Sequence, residues 1–420
     1  MAPSHWNNFL DAFAVSTQIA SPNWAFRTDP DNWEDRELMD LLGQEVEAPL
    51  DEINTPLDRV PLMPSPEFID PHRTSMGNLS RLSEHLLTGS IVPLMDYASI
   101  YNLSLTCYRA RAVLSQNEIL PILFRHCSKV FPALYALRLH DRVSIKDLIL
   151  ELQYGKCRSC GENGTHLFLP TVERVCSNCL RHNRAFWPIS LHDAKQCFGL
   201  EHQDFLVMPA FRNTRAELAV DHLAFYGFPP DIVPKYLVAV KSALTHALKV
   251  HGSVETLADL QSVDLNRDSS TQDIVNVHFY RYLRRALLGT LPCDPTQAPA
   301  RPTQESVIAE SCSERIYLGT ASISFPYVPR GEERAEKRYK CIGCEWVIDH
   351  FAVCPDHLEY MGIAPNAPAH VSTGIMVGRT FISYNRDELW EHWRSCLGAG
   401  LRMWRRWVLS EHPDGLGSDI

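Results

Sequence analysis

No run of apolar residues in this 420-residue chain approaches the ~18–20 residues that a membrane-spanning helix needs. The opening stretch MAPSHWNNFLDAFAV lacks a basic start followed by an apolar core, so it is not read as a secretory signal. Excess positive charge is missing as well: 40 Lys and Arg face 50 Asp and Glu, a net charge of −10. Non-specific nucleic-acid binding rests on such an excess, which makes nucleic acid a poor candidate partner. Motifs that mark whole classes of enzyme are absent too. There is no His-Glu-x-x-His, no Gly-x-Ser-x-Gly and no Gly-x-x-x-x-Gly-Lys-Ser/Thr, and nothing singles out a cysteine nucleophile. The chain is therefore expected to do no catalysis of its own. A disulfide framework does not suggest itself either. The thirteen cysteines are odd in number, and Cys107, Cys127 and Cys197 sit singly in apolar, helical surroundings. Those three read as small buried hydrophobes in a reducing compartment, cytoplasm or nucleus.

What charge there is lies unevenly. Residues 1–75 hold 14 Asp or Glu, four Arg, no Lys and nine Pro, while residues 76–420 balance at 36 acidic against 36 basic. That composition predicts a mostly disordered acidic arm over 1–75. Within it, DNWEDRELMDLLGQEV spaces Trp33, Leu38, Leu41 and Leu42 as a short amphipathic helix. It is either a transient helix in a solvated tail or a docking helix for a partner.

Residues 76–150 carry the pattern of short helices, punctuated by Pro93, Pro121 and Pro132, with Ser144 placed to cap the last of them. A cysteine segment occupies 151–200 and ends in SLHDAKQCFGL, where Ser190 and Asp193 have capping-box spacing. Residues 201–290 read as helical. PKYLVAVKSALTHALKV repeats Leu237, Val240, Leu244, Ala247 and Leu248 at helical spacing, Gly252 suits the helix end, and Ser253 suits the next cap. TQDIVNVHFYRYLRRALLG reads as a further helix. Four prolines within 291–305 mark a linker over 291–312, before a C-terminal region at 313–420 in which Asn385 and Glu388 space a capping box. The expected fold class is mainly α with small β. It comprises a helical bundle, a zinc-ribbon-like segment, a helical middle region and a small C-terminal zinc-binding α+β region.

Two cysteine groups carry the chemistry. Cys157-x2-Cys160-x15-Cys176-x2-Cys179 has the spacing of a four-cysteine zinc site. Each Cys-x-x-Cys turn aims two sulfurs at one point, and HLFLP and VERVC between the turns have the length and composition of two short strands. Gly161 supplies the permissive backbone that a tight metal-binding turn needs. Four ligands leave no open position, so the zinc expected here is structural. A redox dithiol would need only one such pair, and disulfides do not suit the compartment. A second site opens with Cys341-x2-Cys344, and its other half can be drawn two ways. His392 and Cys396 stand one helical turn apart; Cys354 and His357 are the compact alternative. The two cysteine groups lie about 160 residues apart, unlike the interleaved ligands of a RING-type ligase.

The stretch LSRLSEHLLTGSIVPLMDYASIYNLSLTCYRARAVLS, residues 79–115, resembles an F-box. Leu82 and Leu86 form the leading leucine pair, Ile91 and Leu94 follow, and Ser83 stands where the family usually has proline. With LFRHCSKVFPALYALRL, RVCSNCLRHN, AKQCFGL, ALKVHGSVETL and EHWRSC, residues 79–400 resemble F-box proteins of filamentous fungi that carry a cysteine-rich segment. The resemblance implies that Leu82, Leu86, Ile91 and Leu94 bind the adaptor subunit of a cullin-type ubiquitin ligase. The remainder would then present a protein substrate that the sequence does not identify. The other reading is a zinc-stabilised protein- or nucleic-acid-binding protein with no ligase role.

Overall fold

The structure, a computed structural model, describes residues 34–45, 75–117, 119–214, 234–260, 321–351, 379–380 and 382–411. These fall into two units: a smaller one of 34–45 and the described residues from 337 onward, and a larger one holding the rest. The fold is mainly α, with three small antiparallel sheets among the described residues. Its first elements, α1 (Asp35–Leu42) and β1 (Gly43–Glu45), belong to the smaller unit.

The larger unit opens with a 3-10 turn at Gly77–Arg81, followed by continuous helical turns over Glu84–Leu86, Leu87–Ile91 and Val92–Leu94. Ser83 starts that run: its hydroxyl oxygen accepts a bond from the Leu86 amide at 3.2 Å. Then come α2 (Tyr97–Thr106), α3 (Tyr108–Ser115), α4 (Ile119–His126), α5 (Val130–Leu137) and α6 (Ile145–Leu152). Asp96 caps α2 by accepting from the Ser99 amide at 2.7 Å, and Ser144 caps α6 in the expected way. Ile100, Leu114, Leu123, Leu134 and Leu148 fill the space between these helices. Tyr97 stacks on Phe131 with ring centres 4.4 Å apart, and burial pushes its hydroxyl pKa up to about 12.

The two strands expected between the cysteine pairs are β2 (His166–Phe168) and β3 (Glu173–Val175), paired so that His166 faces Val175. They lead into α7 (Ser177–His182), β4 (Pro188–Ser190), α8 (Leu191–Phe198) and α9 (Asp204–Val207). β5 (Phe211–Arg212), β6 (Tyr236–Ala239), α10 (Val240–His251) and α11 (Val254–Asp259) follow. Ser190 caps α8, Gly252 ends α10 at φ 88°, and Ser253 caps α11, all as the sequence suggests.

Several expectations need correction. The expected helical pattern from Pro234 breaks at its start, because Tyr236–Ala239 is a strand between β4 and β5 with Leu237, Val238 and Ala239 fully buried. A strand buried on both faces shows no alternation, and its Leu237 falls in step with the helical stripe that begins at Val240. Residues 76–150 and 151–200 are not separate domains, since α2–α6 share one apolar core with Cys157, Leu167, Phe168, Cys176 and Cys179. The C-terminal region does not begin at 313. β7 (Ser322–Ser324) pairs with β2 as the third strand of the hairpin's sheet, and Ile323, Phe325 and Val328 join the same core. The expected helix at 271–289, the linker at 291–312, Trp33 and the Cys354/His357 pair lie outside the described residues.

The smaller unit contains β8 (Tyr339–Cys341), α12 (Ile342–Phe351), α13 (Arg386–Trp393) and α14 (Leu397–Glu411). Asn385 and Glu388 close a complete capping box on α13, with bonds of 2.8 and 3.0 Å. The acidic arm supplies the rest. β1 pairs antiparallel with β8, and Leu38 and Leu42 of α1 are fully buried against Leu389, Trp393 and Met403. Residues 34–45 are therefore folded, which corrects the reading of a transient helix in a solvated tail. Leu38 and Leu42 stand one helical turn apart, so α1 buries both on one face, and the β1–β8 pairing adds to what holds the segment.

Candidate metal centres

The first centre grows out of the hairpin. Beyond α6 the chain turns back at Cys157, whose amide donates to the Glu162 carbonyl at 2.6 Å while the Gly161 amide donates to Cys157 O at 3.0 Å. That turn holds Gly161 at φ 76°, a conformation that side-chain-bearing residues adopt only with strain. The Ser159 amide donates to Cys157 Sγ at 3.4 Å, and the Cys179 amide donates to Cys176 Sγ at 3.3 Å, where Cys176 caps α7. Amides aimed at sulfur stabilise thiolates. The ligand atoms of Cys157, Cys160, Cys176 and Cys179 all lie within 4.8 Å of one another, and Cys160 Sγ is 3.6 Å from Cys176 Sγ. A disulfide would need about 2.05 Å. A tetrahedral ion at the ~2.3 Å zinc–thiolate distance separates its sulfurs by about 3.8 Å. The residues fit a metal.

The thiols say the same in electrostatic terms. Hydrogen bonds from Cys160, Cys176 and Cys179 pull the Cys157 thiol down, while Cys176 and Cys179 are pushed up, first by their bonding to Cys157. Four sulfurs this close cannot all ionise on their own. A divalent cation removes that conflict.

A buried ionic network fastens this centre to its surroundings. Arg174, with no exposed surface, donates from Nε to the Glu151 carbonyl at 2.9 Å and from NH1 to the Gly164 and Phe325 carbonyls at 2.8 Å each. The Glu151 carboxylate accepts from the Arg174 amide at 2.9 Å and from the Arg158 guanidinium at 2.7 and 3.0 Å. Gly164 leaves room for this: a Cβ there would stand 2.3 Å from Arg174 Cγ. Sequence reasoning passed over Arg174, which stands in the expected VERVC strand with nothing in its spacing to mark it.

The second centre brings together Cys341, Cys344, His392 and Cys396, again within 4.8 Å. Cys341 ends β8, Cys344 lies in the first turn of α12, His392 is on α13, and Cys396 stands between α13 and α14. Cys396 Sγ is 3.7 Å from both other sulfurs, and His392 Nε2 is 3.2 Å from Cys344 Sγ. The pairing is the expected one, but its geometry is not a helical i, i+4 pair. α13 ends at Trp393, and Cys396 swings back through a tight turn in which its amide donates to the Trp393 carbonyl at 3.3 Å. His392 is oriented by Tyr384, whose ring stacks on it at 4.6 Å and whose hydroxyl lies 3.3 Å from Nδ1. Tyr384 in turn exchanges backbone bonds of 2.8 and 2.9 Å with Tyr339 on β8. Two glycines allow α12 and α14 to touch, since a Cβ on Gly398 would fall 1.8 Å from Gly343 O. Hydrogen bonds from Cys341 and Cys344 pull the Cys396 thiol down, and Cys344 is pushed up by its bonding to Cys341 and Cys396 and by burial.

The residues singled out for adaptor binding are split. Leu86 and Leu94 are exposed, at 42% and 67%, whereas Leu82 and Ile91 are half-buried. Their neighbours Leu87 and Val92 point inward. Leu79, Leu105 and Tyr108 add exposed apolar surface on the same stretch of chain. Among the described residues no helix is long and apolar enough to cross a membrane. No family model, no curated protein and no solved structure matches the chain.

Proposed function

We propose that two structural zinc ions fasten this chain, and that it serves as the substrate-receptor subunit of a cullin-type ubiquitin ligase with no catalysis of its own. Zinc is favoured among metals by the ligand sets, four thiolates in one centre and three thiolates with an imidazole in the other, both soft and tetrahedral. Neither set leaves a position open for water or substrate. The receptor reading is carried by the helical turns at 84–94, where Leu86 and Leu94 face outward from a segment whose Leu87 and Val92 anchor it to the core. An apolar side chain held outward by a folded support suits a protein partner better than solvent. Together with the F-box resemblance of residues 79–115, this makes the adaptor subunit the partner of choice.

The test is co-purification with that adaptor at micromolar concentration. Wild type is expected to retain it. Leu86→Asp combined with Leu94→Asp is expected to lose it while both metals and the melting temperature stay unchanged, because neither side chain is buried. A wild type that never retains the adaptor ends the receptor reading and leaves a zinc-stapled interaction module.

A further inference from the structure

The groove that receives α1 has two walls. One is built by Cys341 of β8 and Cys344 of α12; the other by Leu389 and Trp393 of α13, Cys396, and Ala399 and Met403 of α14. Leu38 and Leu42 belong to the same cluster, and β1 covers the edge of β8 with Gly43 opposite Cys341. The outer face of α1, with Arg36, Glu37 and Asp40, is exposed. Nearly 300 residues of chain separate the two paired strands, so local sequence does nothing to hold them together. The second centre ties the two walls together at the groove, since its ligands come two from each side, beside the α12–α14 contact at Gly343 and Gly398 and the Tyr339–Tyr384 backbone bonds.

We propose that α1–β1 and the second centre form one metal-linked clasp: the acidic N-terminal segment docks when the centre holds its metal and detaches when the metal leaves. This rests on the second centre being a metal site, as proposed above. Without the ion, the ligand atoms that hold the ends of β8 and α12 to His392 and Cys396 are left with their contacts of 3.2–3.7 Å and no shared bond. The cysteines that line the groove then loosen, and Leu38 and Leu42 lose the packing they make with Cys341, Cys344 and Cys396. Linkage makes the effect reciprocal, so a docked segment must strengthen metal binding by the factor with which metal strengthens docking. Detachment bares an edge strand and an apolar groove on one side and an acidic amphipathic helix on the other. Both are elements that proteins use for recognition.

The experiment uses the full chain. Hydrogen exchange of residues 35–45 is compared in wild type, in Cys396→Ser and in Cys176→Ser, with zinc counted in each. Protection of 35–45 is expected to vanish in Cys396→Ser and to persist in Cys176→Ser. In the opposite direction, zinc competition with a chromophoric chelator is run on Leu38→Asp and on Gln44→Pro. The second substitution removes an amide from the middle of β1 without placing a charge in the core. Each is expected to weaken zinc at the second centre about 5- to 150-fold, the usual span of coupling between linked sites, and to leave the first centre alone. The clasp is overturned if Cys396→Ser loses a zinc while 35–45 stay protected, or if both N-terminal variants keep wild-type affinity. A Cys396→Ser protein that keeps both metals instead overturns the metal reading of the second centre, and the clasp with it.

Discussion

Replacing Cys176 by serine removes one of four ligands from a centre that lies inside the main core of the larger unit. Metal binding to a structural site of this kind is coupled to about 10–16 kcal/mol of apparent folding free energy. The net stability of a whole domain is about 5–15 kcal/mol. Cys157, Cys176 and Cys179 pack in one cluster with Leu148 and Leu152 of α6 and Leu167 and Phe168 of β2. Losing the ion is thus expected to do more than loosen residues 157–179. Cys176→Ser should contain one zinc where wild type contains two, and its larger unit should lose the cooperative melt, with hydrogen exchange rising through α2–α6. Cys127→Ala is the control. Cys127 is buried outside both centres and its thiol is pushed up to about 12 by burial, so its replacement should keep both metals at the cost of an ordinary core truncation. The sign of the pH dependence follows from the same chemistry. Metal holds thiolates ionised below their ordinary value of about 8.5, so this stabilisation is present above that value and lost as pH falls and protons displace the ion. A metal-free protein that melts like wild type, with unchanged exchange in α2–α6, would refute the reasoning.

Arg174→Ala should destabilise the larger unit by about 3–5 kcal/mol in denaturant titration, because it strips the buried side-chain donors from the Glu151, Gly164, Phe325 and Pro326 carbonyls, while the Arg174 amide that supports the Glu151 carboxylate stays. A loss below about 1 kcal/mol would mean that the network is incidental. Gly398→Ala puts a methyl group where Gly343 O already stands, forcing α12 away from α14. The zinc count should fall by one, with the first centre intact. Tyr384→Phe keeps the stacked ring and removes the hydroxyl near His392 Nδ1, so zinc affinity at the second centre should fall about 10- to 100-fold without unfolding α13.

The ease with which each feature could be read from the sequence tracks how local its cause is. Helix caps at Ser144, Ser190, Ser253 and Asn385 depend on residues three apart, and all were legible. The first centre was legible because its ligands sit at the two ends of one hairpin. The second was half legible: Cys341 and Cys344 announce themselves, but their partners lie about 50 residues on, and spacing alone could not choose between His392/Cys396 and Cys354/His357. The choice of His392 and Cys396 came from a helical pair that does not exist; a turn brings them together instead. Arg174, Tyr384 and Gly398 left no usable signal, since each acts through backbone far away in the chain.

The N-terminal segment is the most instructive case, because two levels of the sequence disagreed there. Composition over residues 1–75 argued for disorder, and it averaged over a stretch in which Leu38 and Leu42 already stood one helical turn apart. An amphipathic helix in an acidic arm is ambiguous until its receptor is known. Here the receptor is assembled from β8, α12, α13 and α14, about 300 residues or more downstream. Average composition decides whether a segment folds alone; it is silent on whether a segment completes something else. Placing the receptor around a metal centre adds a consequence that no local pattern carries. The stability of the arm's docking is set by the occupancy of a site to which the arm contributes no ligand.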